Sequence, residues 1–150
     1  MDLERIDRLV AGEVGVAQGV LEEVLGAFGC TTGTLHVLGG ESGLLEMQAQ
    51  VGIPDVLLDK VAAIPIGKGI AGAAAEQGEA VQICNLQTDD TGVARPDAKK
   101  TEVAGSVAVP ILKGGVLVGT LGIGKFEPYD FNDEEVAALN RVADWLGGSM

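Results

Sequence analysis

Gly67-Lys68-Gly69 and Gly72 stand just ahead of the small-residue run Ala73 to Ala75. Glycines at this spacing let backbone approach closely where a helix begins. The N–H groups of a first helical turn carry partial positive charge suited to an anion or a carbonyl, and Lys68 adds a full charge beside them. Farther along, Arg95 lies among Asp89, Asp90 and Asp97. A guanidinium is the side chain best shaped to hold a carboxylate or phosphate in a fork; it is also suited to pairing with those acidic neighbours at a surface. The two segments point to small-molecule binding.

Catalysis finds little support. The chain has one His and two Cys, and no Ser/His/Asp order makes a triad around His36, which sits in an alternating segment without a nucleophile motif. Cys30 and Cys84 form no CxxC, and with a single His they cannot complete a four-ligand zinc site. Both are expected as reduced thiols, with no structural metal. GxxxxGK[ST] is absent. A GxGxxG in strand-to-helix context is also absent, because Ile64 to Gly72 is read as a loop. Asp89 and Asp90 are adjacent carboxylates of the usual solvated kind. No enzyme is expected.

These residues need a scaffold, and the hydrophobic pattern supplies one. Leu3, Ile6, Val10, Val14, Ala17, Leu21, Val24 and Phe28 fall at spacings of three and four and predict one long amphipathic helix. Gly12, Gly15 and Gly19 in it each cost about 1 kcal/mol against Ala, which implies close approach of a partner helix, either this chain's terminal helix or a second subunit. Thr32 to Leu38 and Leu44 to Val51 alternate around a glycine-rich turn and predict a hairpin. Asp55 caps a short helix with Val56, Leu57, Val61 and Ala62 inward. Ala73 to Gln77 is a helix of small residues stopped by Gly78, and Ala80 to Cys84 is a strand. Asn85 to Lys100 is a polar stretch long enough to be functional. Gly105 to Leu112 and Val116 to Lys125 form a second hairpin of central strands. Asn132 caps a final helix with Val136, Leu139, Val142, Ala143 and Leu146 inward. The order αββααβββα is that of one α+β domain, an antiparallel sheet with helices packed on it. Residues 1–29 form the amino-terminal helix, available for dimerisation, and residues 30–150 the core.

With 22 acidic and 10 basic residues among 150, the net charge is −12. That balance repels a phosphate backbone and anionic lipid. No apolar run approaches a membrane span or a signal peptide. The expected setting is cytoplasmic, with no nucleic acid and no membrane among the partners.

Three segments, IPIGKGIAGAAAEQGEAVQICN (Ile64 to Asn85), GSVAVPILKGGVLVGTLGI (Gly105 to Ile123) and FNDEEVAALNRVADWL (Phe131 to Leu146), resemble the GAF domain family in order and spacing over nearly the whole chain. The resemblance implies a five- or six-stranded antiparallel sheet with the terminal helices on one face, often dimerising, and a ligand pocket under loops and short helices on the other. It implies Ile70 and Ala71 as pocket wall beside Lys68. Opposite them it puts His36 and Met47, the strand end Cys84-Asn85, the loop residues Arg95, Pro96 and Asp97, then Glu102 and Ser106.

The subfamilies are less well matched. The cyclic-nucleotide branch carries an Asn-Lys pair where this chain has Gly124-Lys125, and aromatics are only 3% of the residues, which disfavours purine stacking and tetrapyrroles. Free methionine-(R)-sulfoxide reductases look like this chain through GKG and the cover loop. They carry cysteines where Ala71 and Pro96 stand here, and a thiolate nucleophile is what their chemistry needs. The implied function is a sensory or regulatory module that binds a small ligand, an anionic one included. It would relay that binding through its terminal helices to a partner or a fused signalling output. The alternatives are a ligand-free dimerisation module and, third, a reductase that has lost its cysteines. The ligand's identity, and any cofactor, is left open.

Overall fold

The computed structural model describes residues 1–11, 17–88 and 103–150. Two helices, α1 (Leu3–Val10) and α2 (Ala17–Phe28), precede the hairpin β1 (Thr32–Leu38) and β2 (Leu44–Val51). A single 3-10 turn at Asp55–Leu57 leads into α3 (Leu58–Val61) and the short β3 (Ala63–Pro65). Then come α4 (Gly69–Gln77), β4 (Val81–Ile83), β5 (Ser106–Lys113), β6 (Val116–Gly124) and α5 (Asp133–Ser149). The six strands make one antiparallel sheet in the order β3-β2-β1-β6-β5-β4. The α+β class is therefore as expected; the first hairpin lies where the alternation put it, and the second, expected from its two-sided apolar strands, lies within one residue of its expected bounds.

The amino-terminal segment departs from expectation. The Asp2 N–H donates to the Ala27 carbonyl at 2.7 Å, and Arg5 Nε lies 2.7 Å from Glu23 Oε2. One continuous helix would hold those pairs about 37 Å and about 27 Å apart at 1.5 Å per residue. Instead α1 lies antiparallel along α2, a helical hairpin rather than one long helix. The fold-back buries Ile6 and Leu9, apolar area that it removes from water. Gly12 and Gly15 themselves fall outside the described residues.

One face of the sheet is sealed by helices. Val107, Val109 and Ile111 of β5 and Leu121 and Ile123 of β6 pack into one core with Val20, Leu21 and Val24 of α2 and Leu139 and Val142 of α5. Two glycines permit the close fit: a Cβ on Gly33 would meet Leu21 and Leu25 of α2 at 2.9 Å, and one on Gly147 would fall on the Leu112 carbonyl. Helix α5 starts where its sequence dictates. Asn132 Oδ1 accepts from the Glu135 N–H at 2.8 Å and Glu135 Oε1 accepts from the Asn132 N–H at 3.0 Å, a reciprocal cap. The buried Glu135 carboxylate also accepts from the Tyr129 hydroxyl at 2.8 Å. That bond pushes the Tyr129 pKa up.

Candidate ligand-binding site

The opposite face of the same strands is built from small and hydroxyl-bearing residues, because successive side chains point to alternate sides. Thr34, Ser106, Ala108 and Gly122 floor a cavity of about 160 Å³. Ile53, Leu57 and Val61 line it from the segment before β3, Ile64 from β3, and Ile70 and Ala71 from α4. Leu86 and Val103 line it from either end of the stretch 89–102, which lies outside the described residues. Lys60 and Lys68, both exposed, stand among the lining residues.

The glycine turn is strand-to-helix after all. Residues 63–65, expected as loop, pair with β2 as a three-residue edge strand too short to show alternation, and α4 begins at Gly69 rather than Ala73. The turn is not a dinucleotide fingerprint, however, since that motif works within a parallel βαβ unit and every strand pairing here is antiparallel. Gly67 and Gly69 take left-handed backbone, φ 91° and 69°. The Gly67 N–H donates to the Gly72 carbonyl at 2.8 Å, and Lys68 N–H to the Pro65 carbonyl at 3.1 Å. A Cβ on Gly72 would come 2.6 Å from the Pro65 oxygen, so only glycine lets β3 and α4 close this tightly. Lys68 is the N-cap and makes no side-chain capping bond. The N–H groups of Gly69, Ile70 and Ala71 find no acceptor among the described residues, as the first turn of an uncapped helix requires.

Of the residues singled out in the sequence, Lys68, Ile70, Ala71 and Ser106 line the cavity. The Ser106 hydroxyl donates to the Ile123 carbonyl at 3.4 Å. His36 is on the same face of the sheet but wholly buried, its Nε2 2.8 Å from the Val61 carbonyl. A carbonyl only accepts, so Nε2 carries the hydrogen and Nδ1 is an acceptor. Nδ1 has no partner among the described residues, and neither has the hydroxyl of Thr120, the residue opposite His36 in β6. Burial holds the His36 pKa below its ordinary value, the Val61 bond opposing. Met47, opposite His36 in β2, does not line the cavity.

Cys84 and Asn85 also stand away from it. Cys84 is exposed, and desolvation and the Asp130 carboxylate push its thiol up. Asn85 Oδ1 accepts from the Gln87 N–H at 3.1 Å, a turn-forming role. Burial pushes the Cys30 thiol to about 12. Arg95, Asp97 and Glu102 lie outside the described residues. The sequence reading passed over Thr32, Thr34, Ile53, Leu57 and Ile64 as cavity residues. For the threonines the signal was available: Thr32 and Thr34 alternate with Leu35 in the same sense that Ser106 and Ala108 alternate with Val107 and Val109.

Among the described residues no group of three or more His, Cys, Asp and Glu is placed to hold a metal ion, and no helix is long and apolar enough to cross a membrane.

Comparison with known proteins adds the following. The family model for the GAF domain matches residues 11–147. The GAF domain of a phosphoenolpyruvate-protein phosphotransferase from Coxiella burnetii superposes with a TM-score of 0.81 at 23% identity, over 98% of this chain and 91% of that one. Free methionine-R-sulfoxide reductase from Neisseria meningitidis, solved with its substrate, gives 0.78 at 21% identity, over 97% and 83%. A putative GAF sensor protein from Burkholderia vietnamiensis gives 0.75 at 16%, over 97% and 93%. A comparison with curated proteins returned no match.

Proposed function

The chain belongs to the GAF domain family, whose model spans residues 11–147, and on that premise we propose that it is a non-enzymatic sensor binding a small ligand, with an anionic group, in the cavity above β5, β6 and β1. The observation that carries this reading is the cavity itself: about 160 Å³ of largely apolar, partly open space bordered by an uncapped helix start and Lys68. Its lining holds hydrocarbon surface that a bound molecule would remove from water. The N–H groups of Gly69, Ile70 and Ala71, without an acceptor among the described residues, supply donors for an anion.

Relay follows from the strands being shared. The cavity floor and the seat of α5 and α2 are alternate residues of β1, β5 and β6, so a ligand with different affinities for two strand arrangements biases the helices on the far side. A partner or fused output would read that shift. The assembly reading draws less support, since Ile6, Leu21, Val24 and Phe28 of the stripe expected to pair with a second copy are buried in the chain's own core, although Leu3 is exposed. The reductase reading draws less still. A thiol nucleophile needs a lowered pKa, whereas both thiols are raised and Ala71 occupies the turn.

A thermal-shift screen with nucleotides, amino acids and organic acids tests the sensor. The expected result is a stabiliser whose effect is lost in Gly122→Val, which grows a side chain from the cavity floor, and reduced in Arg95→Ala. If every stabiliser acts equally on Gly122→Val, the cavity is not the binding site and the proposal fails.

A further inference from the structure

The cavity has two chemically distinct ends. Its body is hydrocarbon: Ile53, Leu57, Ile64, Leu86, Val103 and Ala108. No aromatic ring and no carboxylate occurs among the described residues that line it. Polarity comes from Lys60 of α3, from Lys68 at the start of α4, next to the N–H groups of Gly69, Ile70 and Ala71 that find no acceptor among the described residues, and from the hydroxyls of Thr32, Thr34 and Ser106 on the sheet. An apolar cavity of about 150 Å³ accommodates a molecule of benzene's size, about six carbons. A purine base would find no aromatic ring to stack on among the described lining residues. An amino acid fits by size but brings an ammonium group that the described lining offers no carboxylate to meet, and burying it unpaired is costly.

Building on the sensor reading, we propose that the ligand is a monocarboxylate with an unsubstituted hydrocarbon body of about six carbons. Its branched or ring end lies against Ala108 and Gly122, and its carboxylate sits at the first turn of α4 beside Lys68. The body supplies affinity through the apolar area it removes from water. The head fixes direction through charge-assisted bonds to backbone N–H groups that no acceptor among the described residues claims.

Three compounds sharing one carbon skeleton separate the contributions: 4-methylpentanoate, leucine, which adds an ammonium, and 4-methylpentan-1-ol, which removes the charge. Calorimetric titration of the full chain is expected to rank the acid first, with leucine and the alcohol each weaker by roughly tenfold or more. Lys68→Met is expected to weaken the acid and leave the alcohol unchanged. Gly122→Val is expected to abolish binding of all three while the protein stays folded; at the Cβ itself the nearest atom is Thr34 Oγ1, at 3.4 Å. The unfolding temperature of the unliganded variant checks that. Leucine binding as tightly as the acid, or a nucleotide binding in a Gly122-sensitive manner, overturns this ligand class while leaving the sensor reading standing. Absence of binding by 4-methylpentanoate to the wild-type chain at millimolar concentration likewise overturns the class. The sensor reading itself falls only if no compound of the broader screen binds in a Gly122-sensitive way.

Discussion

The two faces of β5 and β6 are made by the same strands and have opposite character. Toward the helices point Val107, Val109, Ile111, Leu121 and Ile123, all at 2% exposure or less. Toward the cavity point Ser106, Ala108 and Gly122. The helix face fills its space with branched side chains, and the other face withholds volume. Stability in this molecule is therefore concentrated on one side of the sheet, and the space for chemistry is kept on the other by residues too small to close it.

Paired substitutions one residue apart test that contrast most severely. Leu121→Ala, on the helix face, is expected to lose about 2–5 kcal/mol, whereas Gly122→Ala is expected to fall within about 0.5 kcal/mol of wild type; urea unfolding measures both. Equal losses would show that the cavity face is as tightly packed as the core. Next in size, Gly147→Ala forces α5 away from the Leu112 carbonyl and is expected to cost about 1–3 kcal/mol, again by urea unfolding. An unchanged midpoint would mean that α5 has room to move.

Thr120→Val goes the other way. It keeps the shape and removes a buried hydroxyl that has no partner among the described residues. Stabilisation by about 1 kcal/mol is expected, and a loss would reveal a partner for that hydroxyl. The smallest effect is set by pH. His36 is held below its unfolded pKa, near 6.5, by burial, so the unfolded chain takes up the proton first. Stability from this residue is whole above about pH 6.5 and declines as pH falls from there toward the folded value. The slope of thermal midpoint against pH between 7 and 5 is expected to flatten in His36→Gln; an unchanged slope would assign it to other groups.

Much of the architecture was legible in the sequence, and the limits have physical causes. Alternation located β1 and β2 at their observed bounds because each has one helix-covered face. The cap at Asn132 was local chemistry and equally readable. The fold-back of α1 on α2 was not, because the same three-and-four stripe serves a long helix facing a partner and two short helices facing each other. Val56, expected inward, is 84% exposed, since a 3-10 turn at Asp55–Leu57 lacks the helical period that placed it. At the site, Lys68, Ile70, Ala71 and Ser106 were anticipated. His36 lies on the right face, but the Val61 carbonyl takes up its ring N–H, a contact between distant segments that no local pattern encodes.

Gly147 carries a mechanical corollary. Where a helix rides on a strand with no methyl group between them, there is no compressible layer to absorb movement. Any lift of β5 must be carried straight into the last turn of the chain, which makes this contact a rigid linkage where a larger residue pair would have made a cushion.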